Sequence, residues 1–309
     1  MKLGFDEGQR EFERSLRALL AAADVPSVAR SWASGDYDPG RKLWRRLLEL
    51  GIGELAEHPV ESVITFEELG RAAVPGPYVE SIAVLPVLAP DLPPDALASL
   101  AVPPHVPYAC DAAAADATYL LDGGTLYSAT VAAELTSVDA TRRLARVGGV
   151  AVVASDVDTD LAFDRGALAT AAQLVGAGYA MLHQATEYAQ ARRQFGKPIG
   201  SFQAIKHQLA DVYVELELAR PLLFGAALVL DGPDRARDVS AAKVACADAA
   251  YRAARTALQV HGAIGYTAEY HLSLWLTKVR ALVSAWGTQR FHRDRVLTAL
   301  RAGSAAGCP

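Results

Sequence analysis

Two apolar stripes at helical spacing, one directly after the other, constrain this chain more than any other feature. Beyond Gly200-Ser201, the residues Phe202, Ile205, Leu209, Val212, Leu216, Ala219 and Leu223 follow a 3-4-3-4 spacing that lays one continuous stripe along a single helix face. The second stripe, Val239, Ala242, Cys246, Ala249, Ala253, Ala257 and Val260, consists mostly of small side chains. Small residues on a buried face let helix axes approach closely, so the stripes predict a C-terminal bundle of four or five long antiparallel helices. Pro221 falls inside the first of these helices and predicts a kink in its C-terminal half, because its ring clashes with the preceding turn and it carries no N–H.

Upstream, helix-length periodic stretches alternate with short breaks, as in Glu11 to Ala23 and in Lys42 to Leu50 followed by Gly51, which reads as a small helical domain. Nine of the 16 prolines lie between Pro75 and Pro107, a density that excludes a regular helix or a central strand and predicts a linker or an irregular wrap. From Tyr108 to Asp158 the pattern turns to short β-type runs: Ala117 to Leu121, the turn Asp122-Gly123-Gly124, Thr125 to Tyr127, and Val147 to Val153. Glycine accepts the positive φ of a tight turn, so Asp-Gly-Gly between apolar runs predicts a hairpin. The expected fold is mainly α with a small β domain: a helical segment with its Pro-rich linker over 1–105, a reduced β domain over 106–160 and the helical bundle over 161–309.

Composition removes several function classes. Lys plus Arg is 30 and Asp plus Glu is 35, a net charge of -5, and no basic block is long enough to track a phosphate backbone, so nucleic acid is not an expected partner. No apolar run approaches the roughly 20 residues that span a bilayer. The N-terminus turns acidic at Asp6-Glu7 before a secretory core forms, and the expected location is the cytoplasm. Cys110, Cys246 and Cys308 are far apart, and the seven histidines include no HxxxH pair, so neither a disulfide framework nor a metal site is expected. Cys246 lies on the alanine stripe and reads as a small buried hydrophobe.

Two polar segments carry candidate chemistry. In Ala191-Arg192-Arg193-Gln194-Phe195-Gly196-Lys197-Pro198-Ile199, a guanidinium offers forked donors matched to phosphate oxygens, and the glycine after the aromatic lets the backbone turn close to a ligand. The alternative for Arg192 and Arg193 is a helix end whose negative dipole they complement. In Gln259-Val260-His261-Gly262-Ala263-Ile264-Gly265-Tyr266-Thr267, Gly262 is expected to end the alanine-striped helix and to expose backbone N–H groups to a phosphate; the alternative is an ordinary helix C-cap.

Together these segments resemble the two flavin-contacting segments of acyl-CoA dehydrogenases, and the order of helical domain, small β domain and helical bundle is similar to that family's layout. Further matching pieces are Leu43-Trp44 to Leu50-Gly51, Glu67 to Ala72, Leu174-Val175-Gly176-Ala177-Gly178 and Phe202 to Asp211. The resemblance implies FAD as cofactor, with Arg192, Gln194, Phe195, Gln203, Gln259, Gly262 and Ala263 reaching a neighbouring subunit's flavin. The family pattern Gln-x-x-Gly-Gly departs at Ala263, whose methyl either fits or blocks close approach. Where the family carries its catalytic glutamate before Gly-Thr, this chain has Trp286, which cannot accept a proton. The second location used in the family maps to about Gly166, and Asp164, two residues off and roughly 200° around a helix, is expected to point away. The β segment also lacks the family's Thr-Glu-Pro-type loop and Trp-x-Thr segment.

The elements that serve a neighbour's flavin are therefore retained and those of the chain's own site are lost. This resembles the small subunits of α2β2 heterotetrameric acyl-CoA dehydrogenases acting on steroid-derived CoA thioesters. That resemblance implies a longer partner subunit that supplies the glutamate and most of the acyl-CoA pocket. A self-sufficient homo-oligomer using Glu269 or Asp164 as base, and a flavin-free scaffold, are the competing readings.

Overall fold

A computed structural model of the chain describes residues 4–267 and 270–306. The chain opens with helices α1 (Glu7–Ala21), α2 (Val25–Ser34), α3 (Asp38–Leu48) and α4 (Pro59–Arg71). Asp6 closes a capping box on α1, its carboxylate accepting from the Gln9 N–H while the Gln9 side chain accepts from the Asp6 N–H.

The Pro-rich segment is not a linker. Val79–Val84 form a wide π-helical turn that runs into the short helix α5 (Leu85–Leu88), and most of this stretch is core. Pro86 sits in the first turn of α5, where a missing N–H costs nothing. Ala98–Ala101 then form strand β1, which pairs in parallel with β3 at the edge of a five-stranded sheet. The expectation that excluded a central strand therefore holds, and the expectation of an irregular wrap gives way to buried, hydrogen-bonded structure.

The sheet has the order β1-β3-β4-β5-β2, with β2 (Ala109–Cys110), β3 (Ala117–Asp122), β4 (Thr125–Leu135) and β5 (Leu144–Ser155). Asp122 pairs with Thr125 across a turn in which both Gly123 and Gly124 have positive φ, the expected hairpin.

Five helices complete the fold: α6 (Thr159–Ala191), α7 (Gln203–Leu228), α8 (Arg235–His261), α9 (Leu272–Leu282) and α10 (Gln289–Ala306). All seven positions of the alanine stripe on α8 are buried, Cys246 among them, and the stripe on α7 is buried from Val212 onward. The α7 backbone continues helically through Pro221 to Leu228.

Glycine decides how closely the N-terminal helices meet the bundle. A Cβ on Gly176 of α6 would stand 1.8 Å from the Glu67 carbonyl oxygen, and one on Gly70 of α4 would stand 2.1 Å from that of Gln173. The two segments Glu67 to Ala72 and Leu174 to Gly178 thus cross backbone to backbone, a contact no side chain permits. Beside the crossing, the buried Glu67 carboxylate accepts from Arg220 of α7 at 3.0 Å and from Arg71 at 3.1 Å, while Arg17 of α1 reaches Glu68 at 2.7 Å. Among the described residues no helix is long and apolar enough to cross a membrane, and no group of three or more potential ligands is placed to hold a metal ion.

Candidate functional site

The sequence-derived site residues gather at one end of the bundle. Helix α6 ends at Ala191, and Arg192 turns into extended backbone, its N–H still bonded to the Tyr188 carbonyl at 2.8 Å. Two short strands, β6 (Arg193–Gln194) and β7 (Lys197–Pro198), follow as a hairpin with Phe195 and Gly196 at its tip. Both tip residues have positive φ, 52° and 80°. That conformation is routine for glycine and strained for phenylalanine, so the turn holds Phe195 outward at a cost. Phe195 is 91% exposed, with the Phe202 ring 6.2 Å away, edge-on. Arg192, Gln194 and Gln203, the first residue of α7, are exposed as well.

The second segment stands against the first. His261, the last residue of α8, stacks its ring on Tyr188 of α6 at 4.4 Å and 28°. Its Nδ1 lies 2.7 Å from the Ala257 carbonyl, and since a carbonyl only accepts, Nδ1 carries the proton. The buried Nε2 is then a bare acceptor with no partner among the described residues, and burial lowers the ring's pKa, keeping it neutral. This stacked pair ties the ends of α6 and α8 together.

Gln259, Gly262 and Ala263 are exposed and line a groove of about 1220 Å³ between α7, α8 and α9. Gly262 has φ 65° and ψ -144°, backbone that favours glycine, and a Cβ there would meet only open space. Ala263 has no positive φ, so replacing the family's second glycine imposes no backbone strain. One expectation is corrected: the Gly262 N–H is not free, because it bonds to the Leu258 carbonyl as a helix C-cap. A helix C-terminus presents carbonyls, so anion attraction here must come from side chains. Arg192, Gln194, Phe195 and Gln203 do not line this groove; Gln194 and Phe195 stand on the hairpin, Arg192 just before it and Gln203 at the start of α7.

The interior is arranged oppositely. Trp286 is 1% exposed, sits at φ 55°, and lies flat against Gly166, where a Cβ would come within 2.4 Å of the indole ring. Positions 286 and 166, to which the sequence resemblance assigns the family's two bases, are therefore in contact, and the indole fills the space between them. The Trp286 carbonyl accepts from His292 Nε2 at 2.8 Å, which fixes the tautomer and leaves Nδ1 to accept from the Ser240 hydroxyl at 3.1 Å. Burial drives the pKa of His292 down to about 3.

Beside the indole a cavity of about 20 Å³ remains, room for one water, edged by Glu80, Cys110, Arg142, Lys278 and Trp286. Burial raises the Glu80 carboxyl to about 7 against the opposing charge of Arg142, and burial likewise raises Asp111. Asp111 accepts from the Trp32 indole at 3.0 Å and from the Arg143 N–H at 2.9 Å, and Lys278 pairs with Asp139 at 3.4 Å. Sequence reasoning missed this charged cluster, since its members come from the wide turn, the end of β2, the connection between β4 and β5, and α9, and share no spacing. Asp164 is fully buried, with Arg235 at 3.0 Å on one oxygen and Arg295 at 2.7 Å on the other. Both carboxylate oxygens are thus committed to guanidinium groups of the same chain. Glu269 and Cys308 lie outside the described residues.

FAD is tested by these two surroundings. The hairpin and the α8 end offer exposed guanidinium, amide and aromatic groups around an open glycine cap, which fits a dinucleotide's phosphates and base. The interior does not fit a flavin ring, because Trp286 and the charged cluster leave space for a single water.

Residues 158–300 match the acyl-CoA dehydrogenase C-terminal domain. The acyl-CoA dehydrogenase IpdE2 of Mycolicibacterium smegmatis is 32% identical over 317 aligned positions, covering 93% of this chain and 97% of that protein. This chain belongs to the acyl-CoA dehydrogenase family. Among solved structures, the ChsE4-ChsE5 complex from Mycobacterium tuberculosis superposes on this acyl-CoA dehydrogenase with a TM-score of 0.80 at 21% identity, covering 100% of both chains. The Tcur3481-Tcur3483 steroid ACAD gives 0.83 at 20% identity, covering 97% of this chain and 99% of that one. At those identities the likeness is one of fold.

Proposed function

We propose that this acyl-CoA dehydrogenase is the glutamate-lacking subunit of an α2β2 heterotetramer, whose longer partner supplies the catalytic base and most of the acyl-CoA pocket. The observation that carries this reading is the contact between Trp286 and Gly166, which fills both base positions with an indole while the polar groups at the bundle end stay exposed. A proton cannot be taken from a substrate where no acceptor group stands. FAD, when bound, accepts the hydride removed from the acyl chain. This chain's own residues bind and orient: Arg192 directs its forked donors to the diphosphate, Phe195 enters the partner's site as a rigid aromatic wedge, and Gln194, Gln203 and Gln259 offer amide donors. Gly262 and Ala263 leave the approach to the α8 end clear.

Two of the structural neighbours carry paired names, ChsE4-ChsE5 and Tcur3481-Tcur3483, and the second is described as a steroid ACAD. They support a two-chain assembly and a steroid-derived CoA thioester as the substrate class. Asp164 offers no support to a self-sufficient enzyme, since both its oxygens are committed to arginines.

The test is expression with and without a longer acyl-CoA dehydrogenase-like chain encoded nearby. Protein purified alone is expected to be colourless, and the co-expressed complex yellow, with two flavins per 2:2 assembly by absorbance and light scattering. A stable homotetramer holding four flavins would sink the reading. So would loss of turnover in Asp164→Asn or Glu269→Gln with flavin content and assembly size intact.

A further inference from the structure

The groove at the α8 end holds more positive charge than the sequence motifs account for. Among the described residues three arginines line it, Arg252, Arg255 and Arg280, against one acid, Asp248. Asp248 is committed to Arg293 at 2.8 Å and to the Gln289 amide. Arg252 is neutralised by Asp211 at 3.1 Å and by Glu215. Arg255 and Arg280 have no ion-pair partner among the described residues, and both are exposed. The two come from different helices, Arg255 one turn before Gln259 on α8 and Arg280 in the last turn of α9, so their meeting in one groove is tertiary.

Two further facts bear on what fits between them. The rings of Tyr251 and Tyr266, 43% and 75% exposed, line the same groove, as do the Gln208 and Gln259 amides. Both α6 and α8 end here, and a helix C-terminus carries partial negative charge that repels phosphate. An anion can settle at this end only where cations outweigh that field, and two unpaired guanidinium groups match the two charges of a diphosphate.

We propose that Arg255 and Arg280 are positioning residues for a dinucleotide. The groove between α8 and α9 takes its diphosphate-bearing nucleotide half, with the tyrosine rings beside the base. Arg192 reaches the same diphosphate from the hairpin side. This rests on the reading that the bundle end serves a flavin dinucleotide, and it assigns two residues outside the motifs on which that reading stands.

The experiment uses the co-expressed complex stripped of flavin. Binding of FAD is followed by quenching of flavin fluorescence, and binding of ADP by competition. Arg255→Gln and Arg280→Gln are each expected to weaken FAD on the order of tenfold, as expected for loss of one charge-assisted contact. ADP is expected to weaken by the same factor and riboflavin not at all, since only the nucleotide half touches these arginines. Arg255→Lys keeps the charge but loses the fork and should fall between wild type and Arg255→Gln. Unchanged FAD and ADP affinity in both glutamine variants overturns the inference. So does dissociation of the 2:2 assembly with ADP affinity preserved, which assigns the arginines to the partner chain. If the complex takes up FAD and loses it in Arg192→Ala but not in the glutamine variants, only this inference fails. If it never takes up FAD, the underlying reading fails.

Discussion

The surroundings of Trp286 and the bundle end around Arg192 are two polar regions of one chain in opposite states. Around Trp286 most groups are committed: His292 is divided between a carbonyl and a hydroxyl, and Asp139, Lys278, Asp111 and Asp164 face charges or donors of the same chain, while the indole lies against Gly166 with its N–H in no hydrogen bond among the described residues. At the bundle end the arginine, the amides and an aromatic in a strained turn face outward with few partners. Buried polar groups must be satisfied within the chain or lower its stability, whereas exposed ones remain free to meet another molecule. The inner region therefore reads as structure and the outer one as function.

The comparison is tested hardest at Trp286. If the indole is a core element, Trp286→Ala should destabilise the protein by about 3–5 kcal/mol, as for other buried large-to-small changes. Turnover of the reconstituted complex per folded molecule should stay within a few-fold, measured with an artificial electron acceptor. Denaturant unfolding beside that assay separates the two effects, and a catalytic collapse without a stability change would make the inner region a working site.

A second test uses pH. Burial, the largest cause, raises Glu80 from 4.5 to about 7 in the folded protein. Folding thus favours the protonated acid, a contribution fully present below about pH 4.5 and lost as pH rises through 7. That loss is roughly 3 kcal/mol, and Glu80→Gln should remove it, leaving a variant whose stability varies less with pH than that of the wild type. Urea unfolding at pH 5 and pH 8 checks this, and an unchanged slope would show that Glu80 is not held apart from water as the structure places it.

The outer region predicts smaller effects of a different kind. Arg192→Ala should weaken FAD retention by the complex by about 1.5–3 kcal/mol, the range for a charge-assisted contact, and leave the unfolding midpoint in place. Gln259→Ala should act in the same direction, by about 0.5–1.5 kcal/mol for a neutral hydrogen bond. Flavin occupancy after dilution and gel filtration reads both. If Arg192→Ala lowered the unfolding midpoint and left flavin content alone, the arginine would be a helix-end charge and the contrast between the regions would fail.

Much of the bundle was legible in sequence because periodicity reports local geometry directly. The alanine stripe of α8 is buried at every expected position, and Asp122-Gly123-Gly124 makes the expected turn. Proline density was misleading over Val79–Leu88, since it signals lost donors but not whether the remaining backbone finds partners in a wide helical turn. The motif around Gly262 was read correctly as a helix end and incorrectly as a free N–H, because the C-cap bond to Leu258 uses it.

By itself the sequence determined the helical bundle, the glycine-turned hairpin at Asp122-Gly123-Gly124 and the presence of a tryptophan at position 286, all matters of residue identity and spacing along one element. Only the tertiary structure decided that Trp286 meets Gly166, that Asp164 lies between Arg235 and Arg295, and that Arg255 and Arg280 share a groove. Each of these joins residues from separate elements, and no periodic pattern encodes the distance between helices that close only when packed. Whether a polar side chain is spent inside the chain or left for a partner depends on those distances, and the division between the closed interior and the open bundle end is settled there.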